Sequence, residues 1–143
     1  MISFTMSREQ KMLKDEVAKL VKGVVADQAD EMDLERRIPA DAIQKAWELG
    51  ASVSMVPEKF GGFGMQDQPV DTTIILEELA FGDMAFAIAA TLPSLFINPL
   101  LKMGTAQQQE RYLPLYCGED YAPCSLAVAE PRFGFDVVQP QTT

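Results

Sequence analysis

V-D-T-T-I-I-L-E-E-L-A-F-G-D-M-A-F-A-I-A-A-T-L-P-S-L-F-I-N-P-L-L-K-M, residues 70–103, is the stretch whose reading decides the fold. Between Met84 and Leu101 it carries no charged side chain. A run of roughly 18 apolar or small residues is long enough to be considered for a membrane span. A helix apolar all round must be buried, in lipid or in a protein core. Pro93 and Pro99 interrupt the run, and Thr91, Ser94 and Asn98 add polar groups, which makes it a poor span. The expectation is a buried helix covered by amphipathic neighbours.

Those neighbours are legible on both sides. Ser7 opens S-R-E-Q, a capping box in which Gln10 reaches back to the first turn. Met12, Leu13, Val17, Leu20, Val21 and Val24 then recur at helical spacing, which predicts one amphipathic helix running towards Met32. Gly23 inside it is expected to admit a close neighbour. D-L-E-R-R at 33–37 reads as a solvated helix end. Pro39 suits the first turn of a second helix with the stripe Ile43, Ala46 and Trp47, ended by Gly50. Asp71 is expected to cap a third helix with Ile74, Ile75 and Leu79 inward, and Gly82 and Asp83 break its pattern. Thr105 starts a second capping box, T-A-Q-Q, ahead of a helix with Tyr112, Leu113 and Tyr116 inward.

Composition narrows the function. The chain has 143 residues, 48% of them hydrophobic, enough for about one domain with an ordinary core. A net charge of −9 argues against nucleic-acid or anionic-membrane partners, which need a basic face. There is no histidine, so zinc and haem sites and histidine-based triads have little to build on. Cys117 and Cys124 read as two reduced thiols in a cytoplasmic protein, and the N-terminus shows no secretory pattern. Neighbouring Glu77 and Glu78 point about 100° apart on a helix, so they are no matched acid/base pair.

V-P-E-K-F-G-G-F-G-M, 56–65, packs glycines and a proline into a tight corner. It lacks the lysine-serine/threonine ending of a phosphate loop. It reads either as a structural corner with Phe60 and Phe63 packed inward or as a ligand contact. After Gly118 the pattern changes: C-S-L-A-V-A, 124–129, reads as a strand between prolines. A lone strand is not stable by itself, so it is expected to open a second unit whose remainder lies elsewhere. The fold expected is mainly α: an orthogonal or up-down helical bundle over 1–120, followed by a short β segment at 121–143.

The order of motifs resembles the N-terminal part of the acyl-CoA dehydrogenase family. Val56-Pro57-Glu58-Lys59-Phe60-Gly61-Gly62-Phe63-Gly64 is similar to its V-P-E-E-Y-G-G-x-G loop. Leu76-Glu77-Glu78-Leu79-Ala80-Phe81-Gly82-Asp83 resembles L-E-E-L-A-x-x-D. The run from Gly104 to Pro114 resembles G-T-x-x-Q-K-x-K-Y-L-P, and Ala127 to Asp136 resembles x-x-T-E-P-x-x-G-S-D. The four pieces cover nearly all of 4–138.

The resemblance implies an enzyme of helical, β-barrel and helical domains that binds FAD and oxidises an acyl-CoA thioester to its 2-enoyl product. A carboxylate removes the proton α to the thioester while the β hydrogen leaves as hydride to the flavin. In the family that carboxylate comes from the third domain, so no catalytic residue is expected here. The acyl-CoA substrate, the remaining domains or a partner subunit, and an oligomeric assembly are the implied partners.

Carried over by position, Leu126, Val128, Ala129, Gly134 and Phe135 would lie near the flavin, and Phe135 also near CoA. Leu126 stands where an aromatic is usual, Ala129 where a threonine hydroxyl would bond the flavin, and Phe135 where a serine is found. Each lost hydroxyl partner removes on the order of 1 kcal/mol. A second reading follows from these departures: a non-catalytic, partner-binding subunit of such a complex. The uncharged helix is a wall of the acyl pocket in this family, and helical spacing places Ala87, Thr91 and Leu95 on one face as candidate lining.

Overall fold

The computed structural model describes residues 5–65 and 67–129. Helix α1 (Arg8–Leu20) starts on the expected box: the Ser7 hydroxyl accepts from the Gln10 N–H, and the Gln10 side chain accepts from the Ser7 N–H at 2.9 Å. Instead of continuing as one regular helix, the rod passes through a π turn (Val21–Val25) and a 3-10 turn (Ala26–Gln28) into α2 (Ala29–Glu35). The charged run then ends α2, with Arg36 in the left-handed region at φ 51°.

Helix α3 (Ala40–Glu48) follows Pro39 and buries Ala42, Ala46 and Trp47. Helix α4 (Pro69–Gly82) buries Ile74, Ile75 and Leu79, as the pattern predicts. Asp71 is not its cap, because the helix begins two residues earlier at Pro69. The Asp71 carboxylate lies in the first turn and accepts from the Gln10 side chain at 2.8 Å, tying α4 to α1. Asp83 caps α5 (Met84–Thr91), accepting from the Phe86 N–H at 2.6 Å. Helices α6 (Ser94–Met103) and α7 (Ala106–Tyr112) complete the body, and Thr105 and Gln108 form the second capping box. A 3-10 turn (Leu113–Cys117) then brings Leu113 and Tyr116 into the core.

The apolar side chains sort into two clusters. Val17, Val21, Val25, Met32, Ala42, Ala46, Ile75, Leu79, Phe86, Ala87 and Ala90 join α1 to α5 in the first. Trp47, Val56, Ile97, Leu113 and Tyr116 form the second. The uncharged stretch therefore bridges the molecule: α5 feeds the first cluster, α6 the second, and the turn at Leu92–Pro93 lies between them. Met84–Met103 is apolar and long enough to cross a membrane, with a mean hydropathy of 1.7, and 33% of it is buried inside the fold.

Gly23 and Gly82 exchange the roles expected from the sequence. A side chain at Gly23 would meet nothing within 4 Å, whereas one at Gly82 would lie 2.4 Å from Val21. The close approach is made by the end of α4 against the π turn, not by a neighbour reaching into α1.

Residues 121–129 carry no regular secondary structure, and the described residues contain no strand. The strand expected at 124–129 is thus not formed there. Strand hydrogen bonds need a neighbouring chain, and none is available among the described residues.

Candidate functional site

Helices α4 and α5 carry apolar side chains on two faces. The inner face is the first core. The outer face is left bare: Phe81 is 86% exposed and Ile88 56%, with Leu76, Met84 and Leu95 also exposed. Exposed apolar side chains on neighbouring helices are candidates for contact with something apolar, a partner or a ligand, and on α4 the exposed Glu77 lies between Leu76 and Phe81.

The three residues expected to line one face do not share it. Ala87 is fully buried in the first core. Thr91 is half-buried and its hydroxyl donates to the Ala87 carbonyl at 2.7 Å, four residues back in its own helix. Leu95 lies on α6, beyond the Leu92–Pro93 turn, and is exposed. The i, i+4, i+8 spacing assumed one unbroken helix, and the proline turn removes that continuity. Met84 and Ile88, four residues apart on α5, are exposed as well.

Proline 93 has a second consequence. In a regular helix the Ala89 carbonyl would accept from the N–H of residue 93, and proline has none. That carbonyl instead accepts from the Tyr121 hydroxyl at 3.1 Å, and the Ala90 carbonyl accepts from the buried Ser52 hydroxyl at 3.0 Å. The Cys124 thiol donates to the Leu92 carbonyl at 3.3 Å. On the other side α3 holds the same segment. The Trp47 indole N–H donates to the Gly118 carbonyl at 2.8 Å, and Gln44 both donates to the Glu119 carbonyl and accepts from the Tyr121 N–H. Tyr121 packs edge-on to Trp47 with ring centroids 5.6 Å apart. Burial pushes the Cys124 and Cys117 thiols and the Tyr116 and Tyr121 hydroxyls above their ordinary values.

Beyond these anchors residues 125–129 are exposed. Leu126 is 53% and Val128 51% exposed, and Ala129 is exposed as well. Gly134 and Phe135 lie outside the described residues. What 126–129 can offer a flavin is apolar surface and backbone groups; Ala129 brings no hydroxyl.

Three acidic side chains on α4 and α5 have structural partners, Asp71 with Gln10, Asp83 at the α5 cap and Glu78 with Lys14 at 3.0 Å, while Glu77 is exposed. The glycine corner is likewise committed to itself. The Gly61 N–H donates to the Glu58 carbonyl, that of Gly62 to Pro57, that of Gly64 to Val56 and that of Met65 to Ser54. A side chain at Gly62 would lie 2.0 Å from the Val56 carbonyl, so only glycine fits that crossing. Phe60 packs against the second cluster as expected, but Phe63 is exposed, its ring lying over Gly50 instead of entering the core. A hollow of about 500 Å³ lined by Trp47, Gly61, Phe63, Cys117 and Asp120 contains none of the expected substrate or cofactor residues.

The described residues form a helical body with exposed apolar side chains on α4–α6 and an exit segment tethered to α3 and α5. The family comparison agrees. Residues 7–120 match the model described as "Acyl-CoA dehydrogenase, N-terminal domain", and the chain belongs to that family. It is 32% identical over 136 residues to a probable medium-chain specific acyl-CoA dehydrogenase of Caenorhabditis briggsae, covering 95% of this chain and 33% of the relative. It is 28% identical to a glutaryl-CoA dehydrogenase of Desulfococcus multivorans, over 99% of this chain and 37% of the relative. It is 32% identical to an NADH-dependent acryloyl-CoA reductase of Anaerotignum propionicum, over 99% of this chain and 35% of the relative. A chain in the structure of an electron transferring flavoprotein of Acidaminococcus fermentans superposes with a TM-score of 0.70 at 25% identity, covering 81% of this chain and 30% of that one. The chain thus spans about a third of the length of these relatives.

Proposed function

We propose that this chain is the N-terminal portion of an FAD-dependent acyl-CoA dehydrogenase, catalysing α,β-dehydrogenation of an acyl-CoA thioester. It supplies a wall of the acyl pocket and part of the flavin site. The observation that carries this is the set of exposed apolar side chains on α4–α6, among them Phe81, Met84, Ile88 and Leu95, in a chain that matches the family's N-terminal domain.

In this reading Met84, Ile88 and Leu95, with Thr91 at their edge, exclude water from the acyl chain and hold it by apolar contact. Ala87 supports them from behind, inside the core. Leu126, Val128 and Ala129 lie against the flavin through apolar and backbone contacts, and Gly134 and Phe135 continue that segment. When bound, FAD accepts the hydride that leaves the β-carbon. The α-proton goes to a carboxylate outside this chain, as the family resemblance implies. The remaining domains or a partner subunit, an oligomeric assembly and a cytoplasmic setting belong to the same proposal. The visible spectrum of the assembled protein tests it: a flavin band that bleaches on addition of an acyl-CoA thioester is expected, and a colourless assembly in the presence of free FAD would overturn it.

Ala129 favours one other reading, a partner-binding subunit that assembles without contacting flavin. Ala129→Thr separates the two. If the segment touches flavin, the added hydroxyl tightens FAD binding by roughly fivefold, the scale of one net hydrogen bond. If affinity and activity stay unchanged while assembly persists, the non-catalytic reading holds.

A further inference from the structure

The exit segment is fastened to two carbonyls at the end of α5, that of Ala89, which the helix leaves open, and that of Leu92, which also accepts the Leu95 N–H at 2.9 Å. Pro93 withholds the N–H that the Ala89 carbonyl would otherwise receive, and the Tyr121 hydroxyl takes that place at 3.1 Å. Three residues on, the Cys124 thiol reaches the Leu92 carbonyl at 3.3 Å. Both acceptors lie at the C-terminal end of α5, the helix whose outer face is the bare wall. Two residues after Cys124 begins the exposed run Leu126–Ala129.

We propose that Tyr121 and Cys124 are positioning residues for the cofactor, resting on the flavin-site reading above. By binding the Ala89 and Leu92 carbonyls they fix the flavin-facing segment 126–129 in register with the acyl wall on α5. Neither side chain touches the reacting atoms. Gln44 and Trp47 hold residues 118–121 on the α3 side, so the segment is clamped between two helices up to Cys124, and residues 125–129 after it are exposed. The proline turn that interrupts the uncharged helix is then a docking feature: it exposes the carbonyl that sets where the next segment departs.

Two cysteines make the test internal. Cys124 lies on the clamped segment, while Cys117 lies before it in the 3-10 turn, facing the Leu113 carbonyl. Tyr121→Phe keeps the ring against Trp47 and removes only the hydroxyl. Iodoacetamide labelling of the 143-residue chain, read by mass spectrometry at each cysteine, is expected to show Cys124 reacting about tenfold faster in Tyr121→Phe, with Cys117 unchanged. A global loss of stability would instead speed both thiols together. In the assembled flavoprotein the same variant should weaken FAD binding several-fold. Cys124→Ser, which keeps a donor, should bind FAD like the parent, and Cys124→Ala should not. An unchanged Cys124 to Cys117 ratio overturns the fastening whatever the flavin does. A raised ratio with unaltered FAD affinity overturns the positioning role. If the parent assembly binds no FAD at all, the function proposed above fails, and the labelling ratio still decides the fastening on its own.

Discussion

Replacing Gly82 by alanine should destabilise the protein, and replacing Gly23 should not. At Gly82 an added Cβ would sit 2.4 Å from Val21 Cγ1, where an ordinary contact begins near 3.4 Å, so the overlap is 3.4 − 2.4 = 1.0 Å. Val21 is buried and β-branched, so it has no spare rotamer to swing into, and relief requires α4 to move off the π turn. Overpacking of this kind costs about 1–3 kcal/mol. The better helix propensity of alanine offsets up to roughly 1 kcal/mol of it. A net loss of about 1–2 kcal/mol corresponds to a fall in Tm of roughly 3–6 °C for a chain of this size. At Gly23 nothing lies within 4 Å, so only the propensity gain remains, and Tm should hold or rise slightly. Paired thermal and urea unfolding, followed by circular dichroism, measures both. A Gly82→Ala protein as stable as the parent, or a Gly23→Ala protein that loses more than it, would refute the packing of α4 on the π turn.

Asp83→Ala removes the α5 cap, whose carboxylate accepts the Phe86 N–H at 2.6 Å, and should cost about 1 kcal/mol in urea unfolding; Asp83→Asn should recover most of it. Alkaline titration tests the second core. Cys117, Cys124, Tyr116 and Tyr121 all have their ionisation raised by burial above ordinary values of 9.0 for thiols and 10.0 for phenols. The folded state therefore binds more protons than the unfolded state once pH passes the unfolded thiol value. Their contribution to stability is full below that value and is lost as pH rises through the folded values. Unfolding free energy measured from pH 7 upwards should begin to fall near the thiol range, and a continued rise through it would contradict the burial of these groups.

What the sequence made legible was local or periodic. Both capping boxes formed because Ser7 with Gln10, and Thr105 with Gln108, need only one turn of helix to find each other. The inward faces of α3 and α4 followed from spacing, and that of α1 in part: Val17 and Val21 are buried, but Met12 is exposed and the buried Val25 is not on the expected stripe. The family pattern carried the fold beyond those elements, since its motifs fell in order along nearly the whole chain. What stayed hidden depends on contacts between distant residues. Nothing near Gly82 in the sequence announces Val21, and Asp71 looks like a cap until Gln10 is brought beside it. Phe63 carries the signal of a core residue, yet it closes over Gly50 at the surface. The candidate site divides in the same way. The uncharged wall could be read from the absence of charge between Met84 and Leu101, but which side of α5 is bare could not, because every side of it is apolar. The Tyr121 anchor had one available signal: a proline at 93 leaves the carbonyl four residues earlier without its helical donor. A partner for that carbonyl could have been sought, though not named.

The account's central claim is that the bare face of α4–α6 meets the acyl chain of a CoA thioester. Photocrosslinking tests it most directly. An acyl-CoA carrying a diazirine on its acyl chain is irradiated with the assembled protein, and the modified residues are located by peptide mass spectrometry. The account predicts labels at Met84, Ile88 and Leu95, lost on competition with unmodified acyl-CoA. Competable labels confined to other chains, or to the hollow beside Trp47 and Phe63, would contradict it.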